Sequence, residues 1–335
     1  MQDVKLTRRV IGFLMARLGE LDLGCVKDPR RAQGKTWSKE GLLATLLVGM
    51  MAGKKSFAEL EELTTQMPAV VRRKLKIRGR LPDTTARDFA VALSPEGVGQ
   101  LLSQVGKLAY RRKAFLEDFP IPVVAMDGKA TAGAELDSRW AQTHLSADKL
   151  TAYGLVRAIN CALVSCSLRP ILETIPMGAG GNEVGFFATA FNQLLARHGA
   201  AFEMITYDAG ANSARNAALV VAAGKDYTLA LKDTNRFLLK EAKRVLAHKL
   251  PAEAVARTAD VQNKEGNVRT LRFLHVAEVP NGYKAIKSVR TVLRVHTQKV
   301  DATGSVITEE ERYFISSLPH DRLPYADWLT LIRRH

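Results

Sequence analysis

Asp127 and Asp208 are the residues of this chain best placed, by type and spacing, to do chemistry. Each follows a short apolar run: Val123-Val124-Ala125-Met126-Asp127-Gly128-Lys129, and Phe202-Glu203-Met204-Ile205-Thr206-Tyr207-Asp208-Ala209-Gly210. Both runs read as buried strands. Each carboxylate is therefore expected where a strand leaves the core and a loop begins. Two such strands side by side would offer two hard oxygen ligands to one cation. Magnesium favours oxygen ligands and keeps waters for substrate phosphates. Two such ions roughly 3.5–4 Å apart activate a water and stabilise a leaving phosphate-ester oxygen. Turn capping by each aspartate fits the same spacing.

The elements that must position this pair follow from composition and pattern. The chain has 335 residues, room for two or three domains, and its 47% hydrophobic content supports a packed core. A net charge of +15 points to a polyanionic partner, most simply nucleic acid. Cys25, Cys161 and Cys166 form no metal-site pattern, and an odd count without a framework fits a reducing compartment. The start reads as a mixed helix rather than a signal peptide. Gly41 to Ala52, the longest apolar stretch, is too short to span a bilayer. A cytoplasmic protein is expected.

Residues 1–118 read as helical. Val10 to Leu18 has helical spacing, and Ser38 and Ser56 sit as N-caps before apolar runs. Basic loops join the helices: one carries Arg30, Arg31 and Lys35, another Arg72, Arg73 and Lys74. This region contributes +9 of the +15, which suits a DNA-contacting module. Phe119-Pro120-Ile121-Pro122 reads as a stiff linker. Beyond it come strands at 123–126, 155–164 and 170–175, then a helix from Glu183 to His198 with Asn182 as N-cap. Strand 202–207, a helix to Ala223 closed by Gly224, strand 227–231 ending at Lys232, and helix 236–248 follow. That order is α/β with a mixed sheet. From about 252 to 311 the period falls to two, an antiparallel β insertion, and a short helix carries Trp328 and Leu331.

The ordered set Asp28-Pro29-Arg30-Arg31-Ala32-Gln33-Gly34-Lys35, Met126-Asp127-Gly128-Lys129, Gly181-Asn182-Glu183-Val184, Thr206-Tyr207-Asp208-Ala209-Gly210, Tyr227 to Lys232, Arg312 to Leu318 and Trp328 to His335 resembles bacterial insertion-sequence DDE transposases. The likeness is to the H-repeat-associated transposases. Each segment is weak by itself; their order across residues 28–335 is what is specific. The resemblance implies a helical, basic DNA-binding region over 1–118. It implies a ribonuclease-H-like mixed sheet with flanking helices over 119–335. Asp127 and Asp208 would be the first two catalytic acids and the ligands of magnesium or manganese. Lys129 and Lys232 would join Arg30, Arg31, Lys35, Arg72, Arg73 and Lys74 against double-stranded DNA, both element ends and target. The family's multimeric, nucleoid-associated habit would extend to this chain.

Departures from the family pattern set a second expectation. The family's third acid is a glutamate beyond the Arg-His-Trp of its last helix, whereas this sequence stops at His335. Glu309, Glu310 and Glu311 precede the Tyr313 strand, in another segment. Ala132 stands where the family often has arginine. A transposase truncated before its third acid, with weakened or lost activity, is therefore expected. The alternative is a catalytically inert DNA-binding regulator derived from one. A metal nuclease unrelated to transposition would need a glutamate beside both aspartates.

Overall fold

The computed structural model describes residues 12–13, 16–30, 35–115, 119–134, 136, 138–180, 183–208, 210, 212–261 and 268–334. Arg31, Asn182 and much of the helix expected at Val10–Leu18 lie outside them. The chain divides into two compact units, Met1–Leu108 and Ala109–His335.

In the first unit the described elements are helical: α1 (Lys39–Met51), α2 (Phe57–Gln66), α3 (Ala69–Lys74), α4 (Asp83–Ala92) and α5 (Pro95–Arg111), the last running past Leu108. Ser38 Oγ accepts from Gly41 N–H at 3.1 Å and Ser56 Oγ from Glu59 N–H at 3.2 Å, which caps α1 and α2. Leu42, Leu60, Leu81 and Phe89 pack one core cluster; Ala44, Met67, Leu75 and Ile77 pack a second. Gly41 explains how α1 meets the segment after α3. A Cβ there would lie 2.8 Å from the Lys76 carbonyl oxygen and 3.0 Å from that of Leu75, so only glycine allows the approach.

The second unit is built on one ten-stranded mixed sheet. Its elements run β1 (Val123–Ala134), β2 (Ala141–Leu145), β3 (Ala152–Leu163), β4 (Ile171–Pro176), α6 (Glu183–His198), β5 (Met204–Tyr207), α7 (Ala214–Ala222), β6 (Asp226–Leu231) and α8 (Arg236–Leu246). Then come β7 (Ala256–Val261), β8 (Arg269–Glu278), β9 (Thr291–Val300), β10 (Val306–Ser316) and α9 (Tyr325–Arg334). The strand order is β2-β3-β1-β5-β6-β10-β9-β8-β7, with β4 also paired to β3. β1 is parallel to β5 and β5 to β6, while β3 is antiparallel to β1 and β4. β10 joins the β7–β10 meander to β6 in antiparallel register, so this antiparallel region extends the same sheet.

Strand alternation sends side chains to two cores. Val124, Met126, Ile205, Tyr207 and Leu229 pack with α6, α7 and α8. Val123, Ala125, Met204 and Phe314 face the other way, under Trp328, Leu329 and Leu331 of α9. The Trp328 indole is buried and donates to the His320 carbonyl at 3.0 Å. Among the described residues no helix is long and apolar enough to cross a membrane.

Two expectations need correction. β1 does not end at Asp127: it continues to Ala134 because the long β3 supplies partners, Asp127 opposite Asn160 and Lys129 opposite Ala158. Asp127 instead marks where the parallel pairing with β5 stops, the last pair being Met126 and Tyr207. Glu309, Glu310 and Glu311 do not precede the Tyr313 strand. They lie within it, paired to Gln298, Thr297 and His296 of β9.

Candidate active site

Asp127 and Asp208 each follow the last residue of the β1–β5 parallel ladder, Met126 and Tyr207. Neighbouring strands are roughly 5 Å apart. Asp127 has the parity of Val123 and Ala125, and Asp208 that of Met204, so both leave the sheet on the α9 face. They line one cavity of about 810 Å3 together with Lys232, Asp233, Lys243, Glu310, Glu311, Arg312, Tyr313 and Ile332. The sequence places the pair there because apolar strands bury everything up to Met126 and Tyr207. The first charged residue on each is the first that solvent can reach.

Each carboxylate has a lysine. Lys129, two residues along β1 and on the same face, pairs with Asp127. Lys232, just beyond β6, donates from Nζ to Asp208 Oδ2 at 2.9 Å. The aspartate side chains are 42% and 44% exposed, so these pairs are solvated and individually worth about 0–1 kcal/mol. They neutralise the carboxylates without burying them.

The far wall is β10. Glu311 Oε2 accepts from Tyr313 Oη at 2.7 Å, and Glu311 also pairs with Arg294. Burial raises the Glu311 pKa, but the bonds from Tyr313 and Arg294 outweigh it and hold the carboxyl below its ordinary range. Burial and the Glu311 carboxylate push the Tyr313 phenol up. Glu310 is paired with Arg312 Nε at 2.7 Å. Arg294 in turn donates to the carbonyls of Leu246 at 2.9 Å and Lys249 at 2.7 Å, so it closes the C-terminal end of α8.

Two exposed carboxylates on adjacent strands fit a hard, oxygen-seeking cation that keeps part of its water shell. Among the described residues no group of three or more His, Cys, Asp or Glu could hold a metal ion. A cation there would share the oxygens of Asp127 and Asp208 with Lys129 and Lys232.

The remaining expected DNA contacts lie in the first unit. Arg73 and Lys74 are exposed on the last turn of α3, and Arg72 is half-buried beside them. Arg30 is half-buried. Its guanidinium is bonded to both Asp28 oxygens at 3.0 Å and to the Trp37 carbonyl at 2.9 Å, and it stacks over Phe89. Lys35 shares Asp28 at 2.9 Å. Arg31 lies outside the described residues. Sequence reasoning did not single out Lys243, Arg312 or Arg294. Charged residues in a helix or a strand carry no signal of which wall they will line.

The second unit is thus a mixed α/β fold, a large mixed sheet with helices on both faces. No family model matches the sequence, and no curated protein matches it. Among solved structures the chain is similar to a piggyBac transposase in a synaptic complex with hairpin DNA, with a TM-score of 0.36 and 10% sequence identity. The alignment covers 90% of this chain, which spans 58% of that one.

Proposed function

We propose that this chain is a DNA strand-processing protein of the DDE transposase type. Its second unit would be a ribonuclease-H-like catalytic domain, and its basic first unit a DNA-binding region. The observation that carries the reading is the pair Asp127 and Asp208, set on adjacent parallel strands, on one face, lining one cavity. The strand order supports it. β4-β3-β1-β5-β6, with the first three antiparallel and the last three parallel, is a mixed sheet, as the resemblance implies. The net charge of +15 supplies the attraction to a polyanion.

Asp127 and Asp208 would hold magnesium or manganese, which when bound supplies Lewis-acid activation of a phosphodiester. The chain's own groups do the rest. Lys129 and Lys232 hold the carboxylates in place from either side. Lys243 and Arg312 bring positive charge to the cavity wall, where a phosphate would enter. The acting nucleophile would be water or a DNA hydroxyl rather than a side chain.

The test is nicking of supercoiled DNA carrying the chain's own flanking sequences, with magnesium or manganese. Nicking that Asp127→Asn and Asp208→Asn each abolish, while both variants melt like the wild type, supports the reading. Nicking that survives both substitutions overturns it. A second reading, a catalytically inert DNA-binding regulator, is favoured by the two-carboxylate donor set and the lysine on each acid. Salt-dependent DNA binding with no nicking under any condition selects it.

A further inference from the structure

We infer that the outer face of α8 (Arg236–Leu246) is a binding surface for single-stranded nucleic acid that leads into the carboxylate cavity. For that destination it rests on the proposed function. The binding itself stands on the helix alone.

The inner face of α8 is fixed by burial: Leu238, Leu239, Ala242 and Leu246 pack into the core. The opposite face is left to solvent, and it carries Arg236, Phe237, Lys240, Lys243 and Arg244, all exposed. At 100° per residue these five fall within one arc of about 120°. Arg236, Lys240 and Lys243 stand at i, i+4 and i+7, a stripe rising about 10 Å along the axis. That length spans two to three phosphates at about 3.4 Å each along one stacked strand. Among the described residues none of these three has an ion-pair partner, whereas Arg244 is paired with Glu241 at 3.1 Å.

The stripe is joined to the site. A second cavity of about 430 Å3 is lined by Asp233, Arg236, Leu239, Lys240 and Lys243. Asp233, Leu239 and Lys243 also line the cavity that holds Asp127 and Asp208. A strand lying along α8 would therefore run to the carboxylates.

Phe237 decides what kind of strand. It is 58% exposed, and a single exposed phenyl means nothing without its surroundings. Here it shares one helix face with Lys240 and Arg244. Cations that track a backbone next to an aromatic platform are the physical signature of single-strand binding, because any unpaired base can stack. In a duplex the bases are already stacked inside, out of reach of this ring. An acidic protein would satisfy the cations but leave Phe237 unused.

The experiment measures binding of the full chain to fluorescein-labelled oligothymidylate, to the same strand annealed to oligoadenylate, and to labelled polyglutamate. Fluorescence anisotropy is followed across a salt series. The single strand should bind tightest. Phe237→Ala should weaken oligothymidylate about 5–150-fold, the span of one lost base stack, and leave the duplex unchanged. Phe237→Trp should restore binding, with its fluorescence quenched by the strand. Lys240→Gln with Lys243→Gln should lower the single-strand salt slope by about 1.4. Equal affinity of Phe237→Ala and wild type for oligothymidylate, a preference for duplex, or polyglutamate binding as tight as DNA would each overturn the surface. The two readings fail separately. Phe237-dependent binding without any nicking removes the enzyme and keeps the surface. Nicking with binding indifferent to Phe237 does the reverse.

Discussion

Replacing Arg294 with methionine removes the group that closes the C-terminal end of α8. The guanidinium is almost fully buried. It donates to the carbonyls of Leu246 and Lys249 and pairs with Glu311. Hydrogen bonds to a charged donor are worth about 1.5–3 kcal/mol each, so the two carbonyl bonds suggest about 3–6 kcal/mol. The Glu311 side chain is 36% exposed, and solvent screening limits its share to about 0–1 kcal/mol. Against this stands the Arg294 Nε–H, buried without a hydrogen-bond partner among the described residues, which costs about 1–3 kcal/mol in the wild type. The balance is a loss of about 3 kcal/mol, at the low end of the range for broken buried charge interactions. In a unit spanning residues 109–335 this lowers Tm by about 6–12 °C. Differential scanning calorimetry reads it directly. Glu311→Gln, on the same reasoning, costs under about 1 kcal/mol. A methionine variant within about 1 kcal/mol of wild type, or a glutamine variant that costs as much, would refute the assignment of the energy to the Leu246 and Lys249 carbonyls.

Asp127→Asn and Asp208→Asn should each change stability by under about 1 kcal/mol, since the pairs they break are solvated; thermal melts check this beside the nicking assay. Magnesium at ten times its Kd should raise the midpoint by about 1.4 kcal/mol, or about 3–6 °C, and Asp127→Asn should remove the shift. In the first unit, hydrogen bonds from Arg30, helped by Lys35 and opposed by burial, hold the Asp28 carboxyl well below its ordinary range. A depressed folded pKa contributes stability above the unfolded value of about 3.9 and loses it as pH falls towards the folded one. Melts below about pH 4 should therefore fall more steeply for wild type than for Asp28→Asn. Gly41→Ala places a Cβ 2.8 Å from the Lys76 carbonyl and should cost about 1–3 kcal/mol by denaturant titration; an unchanged midpoint would show that the segment after α3 yields freely.

The central strands were legible because their chemistry is redundant. β5 and β6 are short, mostly apolar and buried runs, and α7 ends before Gly224 in the left-handed region, as a helix stop should. β7, Arg257-Thr258-Ala259-Asp260 within Ala256–Val261, mixes polar and small residues and carries little periodic signal. β10 hides its first half for the same reason. Val306 to Arg312 is exposed throughout, so no alternation marks Glu309–Glu311 as strand. The site shows the same division. Asp127 and Asp208 could be read because the apolar residues before them announce where solvent begins. The internal partners of Arg30 could not, since an arginine in a basic loop looks alike with or without Asp28 and Phe89 beside it. The basic stripe of α8 emerges only when the buried positions fix which way the helix is turned.

Pairing in the central sheet also sets a timetable for synthesis. Val123 has Met204 as its parallel partner, and Leu231 waits for Tyr313. At about 5–20 residues per second, β1 leaves the ribosome roughly 4–16 seconds before β5 can shield its open side. During that interval only β2, β3 and β4 are present to pair with it or with one another. An interrupted nascent chain ending in that window would carry Val123–Met126 as an uncovered sticky edge.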